Sequence, residues 1–371
     1  MKKIFKFIYI FIFLSIIIFV AGSMFKYEPH YLVYENRGTN IIPYEGIRAE
    51  VKNFFLNGAK PELEKSLKDY FYRDELVEAD IFLNKYIFRR PFVGNVSIKS
   101  PHIYDFSENL TYSKDVDELA TTVIRLNKFK EELEEDGKKF LVIPMPSISS
   151  RYDYPSYVLD PETIDGLRRE ELYNLLKYYN IDYIPAYDYL SYEDFFATDH
   201  HFGMSGALKI IDEIKKYFID GGIPFNDADY QFKEHSFKGS RSKMLANLTE
   251  SEPIYEPIYS MSFTRTGDYI DYINDFDGVG GYVAYMSGDH FNTFVSNDSV
   301  EDGADILIYG DSFTNIIESV IIQNVKSMES YDFRYSPEDF KKNVDVDAEV
   351  VILIADEKSF RTKEEYIFFR E

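Results

Sequence analysis

Two short segments of this chain bring together residues that could do chemistry. Residues 198–206 read Thr-Asp-His-His-Phe-Gly-Met-Ser-Gly, and residues 309–314 read Tyr-Gly-Asp-Ser-Phe-Thr. The chain has six histidines and no cysteine, so a histidine pair beside an aspartate is a concentrated source of acid/base groups. A serine attacks a carbonyl carbon when an imidazole takes its proton and a carboxylate holds that imidazole. The two segments therefore predict a Ser/His/Asp site of the esterase type.

The elements that flank these segments predict that they meet. Ser312 follows a strand-like run, Ile306–Tyr309, and precedes a helical pattern near 314–325. Asp199–His201 lies just before a helix that begins near Met204. Functional loops of an open parallel sheet gather at the carboxyl ends of its strands, which places both segments on one rim. The helix beginning near Phe313 is also predicted to point backbone N–H groups at a developing oxyanion.

Alternation of strands and helices predicts an α/β fold. Apolar runs of four to six residues alternate with amphipathic helical patterns, which is typical of a parallel sheet covered on both faces. Strands are predicted at 140–143 (stopped by Pro144 and Pro146), 181–184, 306–309, 328–333 and 349–354, and helices at 46–90, 115–137, 160–179, 204–218, 314–325 and from Pro337. The interval from about 222 to 303 breaks this rhythm and predicts an irregular or β-rich insertion.

The N-terminus predicts a membrane segment. Lys2, Lys3 and Lys6 precede an apolar run, and residues 4–22 come close to the roughly 20 residues that cross a bilayer. A cleaved signal peptide is the alternative, because small residues at 20–23 suit cleavage. Either interpretation leaves the basic leader inside and exports the body. The predicted organisation is an anchor or signal at 1–25, a tether and helical lead-in at 26–110, and the α/β domain at 111–371 with its insertion.

Composition narrows the possible partners. The net charge is −23 over 371 residues, so an acidic surface disfavours nucleic acid and anionic lipid as ligands, and it also keeps the chain soluble. The absence of cysteine excludes disulfides, lipoprotein acylation and thiolate metal sites.

Both chemical segments resemble motifs of one protein group. Gly310-Asp311-Ser312 resembles the nucleophile block of SGNH hydrolases. Residues 198–202 resemble the signature of the DHHW proteins and the Asp-x-His-Trp element of the alginate O-acetyltransferases AlgX and AlgJ, with Phe202 where the family usually has Trp. In that group the Asp/His element precedes the serine, as it does here. Further similarities lie at 237–240, 287–290 and 331–335.

The resemblance implies a fold, a reaction and partners. The fold is an SGNH-like (flavodoxin-like) three-layer α/β/α sandwich with permuted motif order. Ser312 is the implied nucleophile, His201 the general base and Asp199 its orienting carboxylate. The Gly-x-Asn element of the third family block is not recognisable; the candidates for oxyanion or substrate contacts are Asn292, His290 and Arg241. The implied protein is a single-pass membrane protein, or a secreted one if the segment is cleaved. It transfers acetyl groups to an exported or cell-surface polysaccharide without a metal or organic cofactor, with a membrane O-acyltransferase as one source of acetyl.

Three other interpretations stay open. An O-acetyl esterase uses the same catalytic residues, because only the acceptor differs. DHH phosphoesterases also carry Asp-His-His, as metal ligands, but need a further acidic partner, for which Asp345-x-Asp347 is the strand-adjacent candidate. A non-catalytic carbohydrate-binding or assembly scaffold is the third, and the 32 tyrosines suit either sugar stacking or core packing.

Overall fold

The computed structural model describes most of the chain beyond residue 115. The described residues are 7, 10–15, 31–32, 34, 37–38, 73–90, 92–93, 96–97, 103–105, 116–147, 161–267, 276, 281–287, 292–334 and 348–361. The chain forms two compact units, Met1–Ile98 with Ser242–Leu248, and Lys99–Arg241 with Thr249–Glu371. The division predicted from sequence, with boundaries after 25 and 110, stays a prediction.

The first unit contains a short helix and two strand pairs. Helix α1 (Arg73–Phe82) continues into a π-helical turn, Leu83–Ile87. Lys85 and Tyr86 of that turn donate hydrogen bonds to the Leu248 carbonyl. The strand pairs are antiparallel and comprise β1 (Tyr31–Leu32) with β2 (Arg37–Gly38), and β3 (Phe92–Val93) with β4 (Val96–Ser97). Of the helical pattern predicted over 46–90, residues 46–72 lie outside the described part.

Outside the interval 222–303, the remaining elements largely follow the predicted alternation. The strands are β5 (Tyr104–Asp105), β6 (Lys139–Met145), β7 (Asp182–Tyr183), β8 (Gln231–Phe237), β9 (Glu252–Ile258), β10 (Phe263–Gly267), β11 (Asn292–Asn297), β12 (Asp305–Gly310), β13 (Ser327–Asp332) and β14 (Val350–Asp356). The helices are α2 (Val116–Glu135), α3 (Pro161–Tyr178), α4 (Ala186–Tyr189), α5 (Met204–Asp220), α6 (Ser240–Met244) and α7 (Thr314–Ile321), with 3₁₀ turns at Tyr192–Asp194, Tyr282–Ser287 and Glu357–Arg361. The helix predicted from Pro337 lies outside the described residues.

A seven-stranded sheet organises the second unit. Its strand order is β10-β11-β13-β12-β14-β6-β7. The five strands from β13 to β7 are parallel, whereas β10 and β11 are antiparallel. The sheet is thus mostly parallel rather than wholly so. The antiparallel strands come from the interval 222–303, in which β8 and β9 form a separate antiparallel ribbon.

Successive residues of the central strands pack on opposite faces of the sheet. Ile306 and Ile308 of β12 join the core formed with α5 and α7. Leu307 and Tyr309 join the core formed with α2 and α3. Each fully buried aliphatic side chain of this kind contributes roughly 1.5–3 kcal/mol. Helices therefore cover both faces, and the rim at the carboxyl ends of the strands is left for function.

One predicted strand boundary is wrong. Strand β6 does not stop before Pro144 but continues to Met145, with Pro144 opposite Ala355 of β14. On its other side β6 pairs with β7 only at Leu141 and Val142. Pro144 therefore lies where β6 is an edge strand, and a missing N–H is tolerated there.

The described residues include no helix that is both long enough and apolar enough to cross a membrane. The predicted span, residues 4–22, lies largely outside them; of this span, residues 7 and 10–15 are described and helical.

Candidate active site

Ser312 lies in a tight turn between β12 and α7. Strand β12 is the middle strand of the seven-stranded sheet and ends at Gly310, where β14 runs beside it. A Cβ atom on Gly310 would lie 2.0 Å from the carbonyl oxygen of Ile354. Glycine is therefore required for the close approach of the two strands. The half-buried Ser312 is presented immediately beyond that contact.

Asp311 fixes the turn from behind. Its Oδ1 accepts the N–H of Phe313 at 3.0 Å. Its Oδ2 accepts the N–H of Asp356, the last residue of β14, at 2.9 Å. The same oxygen accepts the hydroxyl of Ser359, which follows β14, at 3.3 Å. Burial, reinforced by the nearby Asp356 charge, raises the pKa of the Asp311 carboxyl to about 6 despite these hydrogen bonds. The side chain beside Ser312 thus serves the backbone rather than the reacting centre.

The three predicted side chains lie together in one hydrogen-bonded chain. The Ser312 Oγ lies 2.9 Å from Nε2 of His201. The other ring nitrogen, Nδ1, lies 2.6 Å from Oδ1 of Asp199. A carboxylate can only accept, so Nδ1 carries the proton and Nε2 is left to accept from the serine hydroxyl. His201 is 5% exposed and Asp199 is 3% exposed, so water does not compete for these bonds.

Asp199 is held as a charged acceptor. Its Oδ1 also accepts the N–H groups of His200 and His201, and its Oδ2 accepts the N–H of Ser240 at 2.7 Å. Burial alone would raise the pKa of Asp199. The hydrogen bond from His201 and the electrostatic interaction with the two histidines, with the Ser240 bond, nevertheless lower it well below its usual range. The carboxylate therefore stays ionised and keeps the imidazole in one tautomer.

A second set of contacts fixes the segment that carries Asp199. The Glu252 carboxylate of β9 accepts the N–H groups of Ala197 and Thr198, each at 2.7 Å, and the Thr198 hydroxyl at 2.5 Å. The Thr198 hydroxyl in turn accepts the Gly239 N–H at 2.8 Å. A Cβ atom on Gly239 would lie 2.3 Å from the Thr198 carbonyl oxygen, so only glycine lets residues 239–240 approach this closely.

Aromatic rings enclose His201. The Tyr282 ring stacks on the imidazole with a centroid distance of 3.7 Å and an interplanar angle of 7°. The His200 ring lies 3.8 Å away, and Phe313 contributes a tilted contact at 5.0 Å. The Tyr282 hydroxyl also donates to the Ser312 carbonyl oxygen at 2.9 Å. Sequence reasoning missed Tyr282 and Glu252, because neither sits in a motif or at a predicted element boundary.

Phe202 fills the apolar space beneath the histidines. It is fully buried and stacks on Phe313 at 6.0 Å with an interplanar angle of 24°. Helix α5 begins close to this ring, since a Cβ atom on Gly206 would lie 3.1 Å from the Phe202 side chain. Phe202 thus ties the histidine segment to the turn that carries Ser312.

The weaker sequence candidates have other surroundings. Arg241 is 2% exposed, and its guanidinium donates to the Ile103 carbonyl and more distantly to the Asp199 carbonyl; its contact with a substrate stays a prediction. Asn292 lies on β11 and donates to the Glu329 carboxylate. His290 lies outside the described residues.

The predicted oxyanion donors at the start of the helix are also occupied. The N–H of Phe313 donates to the Asp311 carboxylate and that of Thr314 to the Asp311 carbonyl. These two groups close the turn and would reach an oxyanion only by opening it. By contrast, the Ser312 N–H donates to no group in the described part of the chain.

Asp199, His200 and His201 also have the spacing of metal ligands. One donor atom from each lies within 4.8 Å of the others. A cation there would displace the hydrogen bond between His201 and Asp199, and it would compete with Ser240 for the carboxylate. The present bonds satisfy both nitrogens of His201, which favours a proton-transfer site over a metal site. The acidic partner considered for a metal, Asp345-x-Asp347, lies outside the described residues.

Comparison with known proteins identifies the fold. No protein-family model matches the sequence, and no curated protein matches it either. Among solved structures, a DHHW family protein from Eubacterium siraeum DSM 15702 aligns over 73% of this chain and 92% of its own, with a TM-score of 0.55 and 18% identity. This chain has a DHHW-type fold.

A second neighbour supports the same fold. Bacillus cereus PatB1 aligns over 72% of this chain and 97% of its own, with a TM-score of 0.57 and 16% identity. PatB1 carrying a sulfonyl adduct aligns with a TM-score of 0.58, over 74% of this chain and 96% of its own, at 16% identity. The DHHW resemblance deduced from two short motifs is therefore confirmed at the level of the fold.

Proposed function

We propose that this protein is a serine-dependent acyl-transfer enzyme in which Ser312 is the nucleophile, His201 the general base and Asp199 the orienting carboxylate. The supporting observation is the continuous hydrogen-bonded chain from Ser312 through His201 to Asp199. Hydrogen bonds to the Asp311 carboxylate fix the turn that carries Ser312. Hydrogen bonds to the Glu252 carboxylate fix the segment that carries Asp199 and His201. Preorganisation of this kind lowers the cost of reaching the transition state.

The proposed reaction has two balanced steps. The Ser312 Oγ attacks the carbonyl carbon of an acetyl ester while its proton moves to His201 Nε2. The tetrahedral intermediate then expels the donor alkoxide, which takes that proton, and acetyl-Ser312 remains. An acceptor hydroxyl next gives its proton to Nε2 and attacks the acetyl carbon. The second tetrahedral intermediate then expels the Ser312 Oγ, which takes that proton back from Nε2. Asp199 stays ionised throughout and stabilises the transient imidazolium.

The Ser312 N–H is our candidate for one oxyanion donor. It belongs to the nucleophile itself and, within the described residues, is not used by another acceptor. A backbone donor beside the reacting carbon stabilises the charge that develops on the carbonyl oxygen.

The proposed acceptor is an exported or cell-surface polysaccharide. The DHHW resemblance implies O-acetyl transfer to such polymers, and the basic leader before residues 4–22 suits an exported, membrane-anchored body. The fold tolerates a reactive nucleophile, because PatB1 forms a sulfonyl adduct and sulfonyl groups modify nucleophilic side chains. A membrane O-acyltransferase is the proposed source of the acetyl group. The mechanism uses no metal or organic cofactor.

Hydrolysis of a chromogenic acetate ester by the full-length chain tests the proposal. The wild type should release the chromophore, and Ser312→Ala and His201→Ala should each lower the rate by about 10³-fold or more, as for other triads. Ser299→Ala, in a turn outside the site, is the matched control and should leave the rate unchanged. Equal inertness of wild type and variants would favour a non-catalytic scaffold, and metal-dependent activity that survives Ser312→Ala would exclude the serine mechanism.

Adding acetylated and free oligosaccharides separates the two acyl-transfer functions. A transferase yields acetylated oligosaccharide in competition with hydrolysis, whereas an esterase yields only acetate. The catalytic residues are common to both, so the product decides.

A further inference from the structure

We propose that Tyr282 is a positioning residue that holds the general base and the nucleophile in register and stabilises the imidazolium form of His201. The proposal rests on the proposed function and adds a residue from outside both sequence motifs. Tyr282 lies in the 3₁₀ segment Tyr282–Ser287, within the interval that shows no regular sequence pattern.

One tyrosine contacts both reacting residues. Its ring lies nearly parallel to the His201 imidazole at 3.7 Å, and its hydroxyl donates to the Ser312 carbonyl at 2.9 Å. A shift of Ser312 relative to His201 would therefore disturb either the stack or the hydrogen bond. Tyr282 itself is 5% exposed and is held by edge contacts from Phe196 and Tyr285. These contacts hold the Tyr282 ring in place against the imidazole.

The stack matters most when His201 is charged. His200 covers one side of the imidazole and Tyr282 lies against its face, while Asp199 and Ser312 occupy the two ring nitrogens. Water therefore cannot solvate the imidazolium that forms during acylation. The electron-rich face of an aromatic ring attracts a cation, and more strongly when water is excluded. Tyr282 thus offers the charge a compensating contact that a saturated side chain lacks.

The other charged and titratable groups near His201 are the same in the wild type and in the Tyr282 variants. Asp199 favours the imidazolium, whereas Arg241 and Arg334 contribute positive charge near the histidine pair. Burial and the neighbouring His201 lower the pKa of His200, so His200 is neutral and adds no second cation. None of these groups changes when Tyr282 is replaced, so an altered pKa of His201 would report the lost ring.

Three variants separate the ring from the hydroxyl. Tyr282→Phe keeps the ring and removes the bond to Ser312, Tyr282→Leu removes both, and Tyr259→Leu is the control. Tyr259 also donates to a backbone carbonyl, that of Ser319, but does not contact His201. The readouts on full-length protein are the pKa of His201, from NMR titration of ¹⁵N-labelled histidine, and the pH profile of inactivation by phenylmethylsulfonyl fluoride.

Tyr282→Leu should lower the pKa of His201 by about half a unit to one unit, the size expected for a cation–π contact. Tyr282→Phe should leave that pKa unchanged but slow inactivation about three- to tenfold, as expected for one lost hydrogen bond. Tyr259→Leu should change neither readout. If Tyr282→Leu does not fold, Tyr282→Met, which keeps most of the volume without a ring, takes its place.

An unchanged His201 pKa in Tyr282→Leu or Tyr282→Met would overturn the proposal. Where the wild type reacts with the sulfonyl fluoride, identical inactivation rates in all variants would overturn it as well. The NMR titration needs no activity. A wild type that is inert to esters and to the sulfonyl fluoride would therefore refute the proposed function while the pKa comparison still tested the role of Tyr282.

Discussion

The backbone N–H of Ser240 donates to Oδ2 of Asp199 at 2.7 Å, so the carboxylate that orients His201 is oriented in turn by a residue 41 positions away in the chain. Gly239 makes this contact possible by lying against Thr198 without a side chain. The histidine segment is therefore positioned by residues 239–240 as much as by its own helix.

Gly239→Ala should displace Asp199 and impair the site. The new methyl group would lie 2.3 Å from the Thr198 carbonyl oxygen and 2.5 Å from the Asp199 Cβ, so one of the two segments must move. We expect ester hydrolysis to fall at least about tenfold, because a displacement near 1 Å can cost up to 10²-fold in rate. Gly166→Ala is the matched control, since a Cβ there meets nothing within 4 Å and alanine favours helix α3. Wild-type activity in Gly239→Ala would contradict the claim that residues 239–240 position Asp199.

Asp311 should make stability depend on pH in a direction unusual for a carboxylate. Burial raises its folded-state pKa to about 6, above the unfolded value of about 3.9. The folded state therefore binds the proton more tightly, and the contribution of Asp311 to the free energy of unfolding falls as pH rises from about 4 to 6. Above pH 6 the full penalty, about 3 kcal/mol, is present.

Asp311→Asn removes this titration. Its absolute stability should fall, because the amide nitrogen cannot accept the bonds that Oδ1 or Oδ2 accepts from Phe313 and Asp356. Relative to the wild type, however, the variant should gain stability as pH rises from 4 to 7. Thermal unfolding of both proteins across that range measures the difference, in which the opposite contribution of Asp199 cancels. A constant difference would show that Asp311 has an ordinary pKa.

A buried ion pair supports the 3₁₀ turn that follows β14. Arg169 of α3 bonds Glu357 at 2.7 Å, and their side chains are 7% and 3% exposed. Glu357 begins the 3₁₀ turn whose Ser359 contacts Asp311. Glu357→Gln should destabilise the protein by about 3–5 kcal/mol, because it leaves the buried guanidinium without its counter-charge.

Urea unfolding tests this expectation against a matched surface pair. Asp227→Asn breaks the pair with Lys215, in which the two side chains are 85% and 36% exposed, and should cost less than about 1 kcal/mol. The double variant Arg169→Met/Glu357→Leu should recover much of the loss, since no buried charge is left unpaired. Similar costs for Glu357→Gln and Asp227→Asn would mean that burial does not raise the cost of breaking the pair.

The sequence predicts the elements better than the contacts between them. Helix α5 was predictable because Ala207, Ile210 and Ile214 recur on one face, and strand β12 because its residues are apolar between two breaks. Their meeting on one rim follows from the topology of a parallel sheet. Tyr282 and Glu252 were not predictable, since each acts through a single through-space contact and no periodicity marks it. The burial of Arg241 was not predictable either, because sequence does not report burial.

Acetylation of Ser312 is the most direct test of the central claim. The full-length wild type is mixed with an activated acetate ester, quenched with acid after successive short times, digested and analysed by mass spectrometry. We predict one acetyl group on the peptide that contains Ser312, formed quickly in the wild type, about 10³-fold more slowly in His201→Ala, and not at all in Ser312→Ala. Acetyl groups on other residues only, or labelling of Ser312 at the same rate in His201→Ala, would contradict the account.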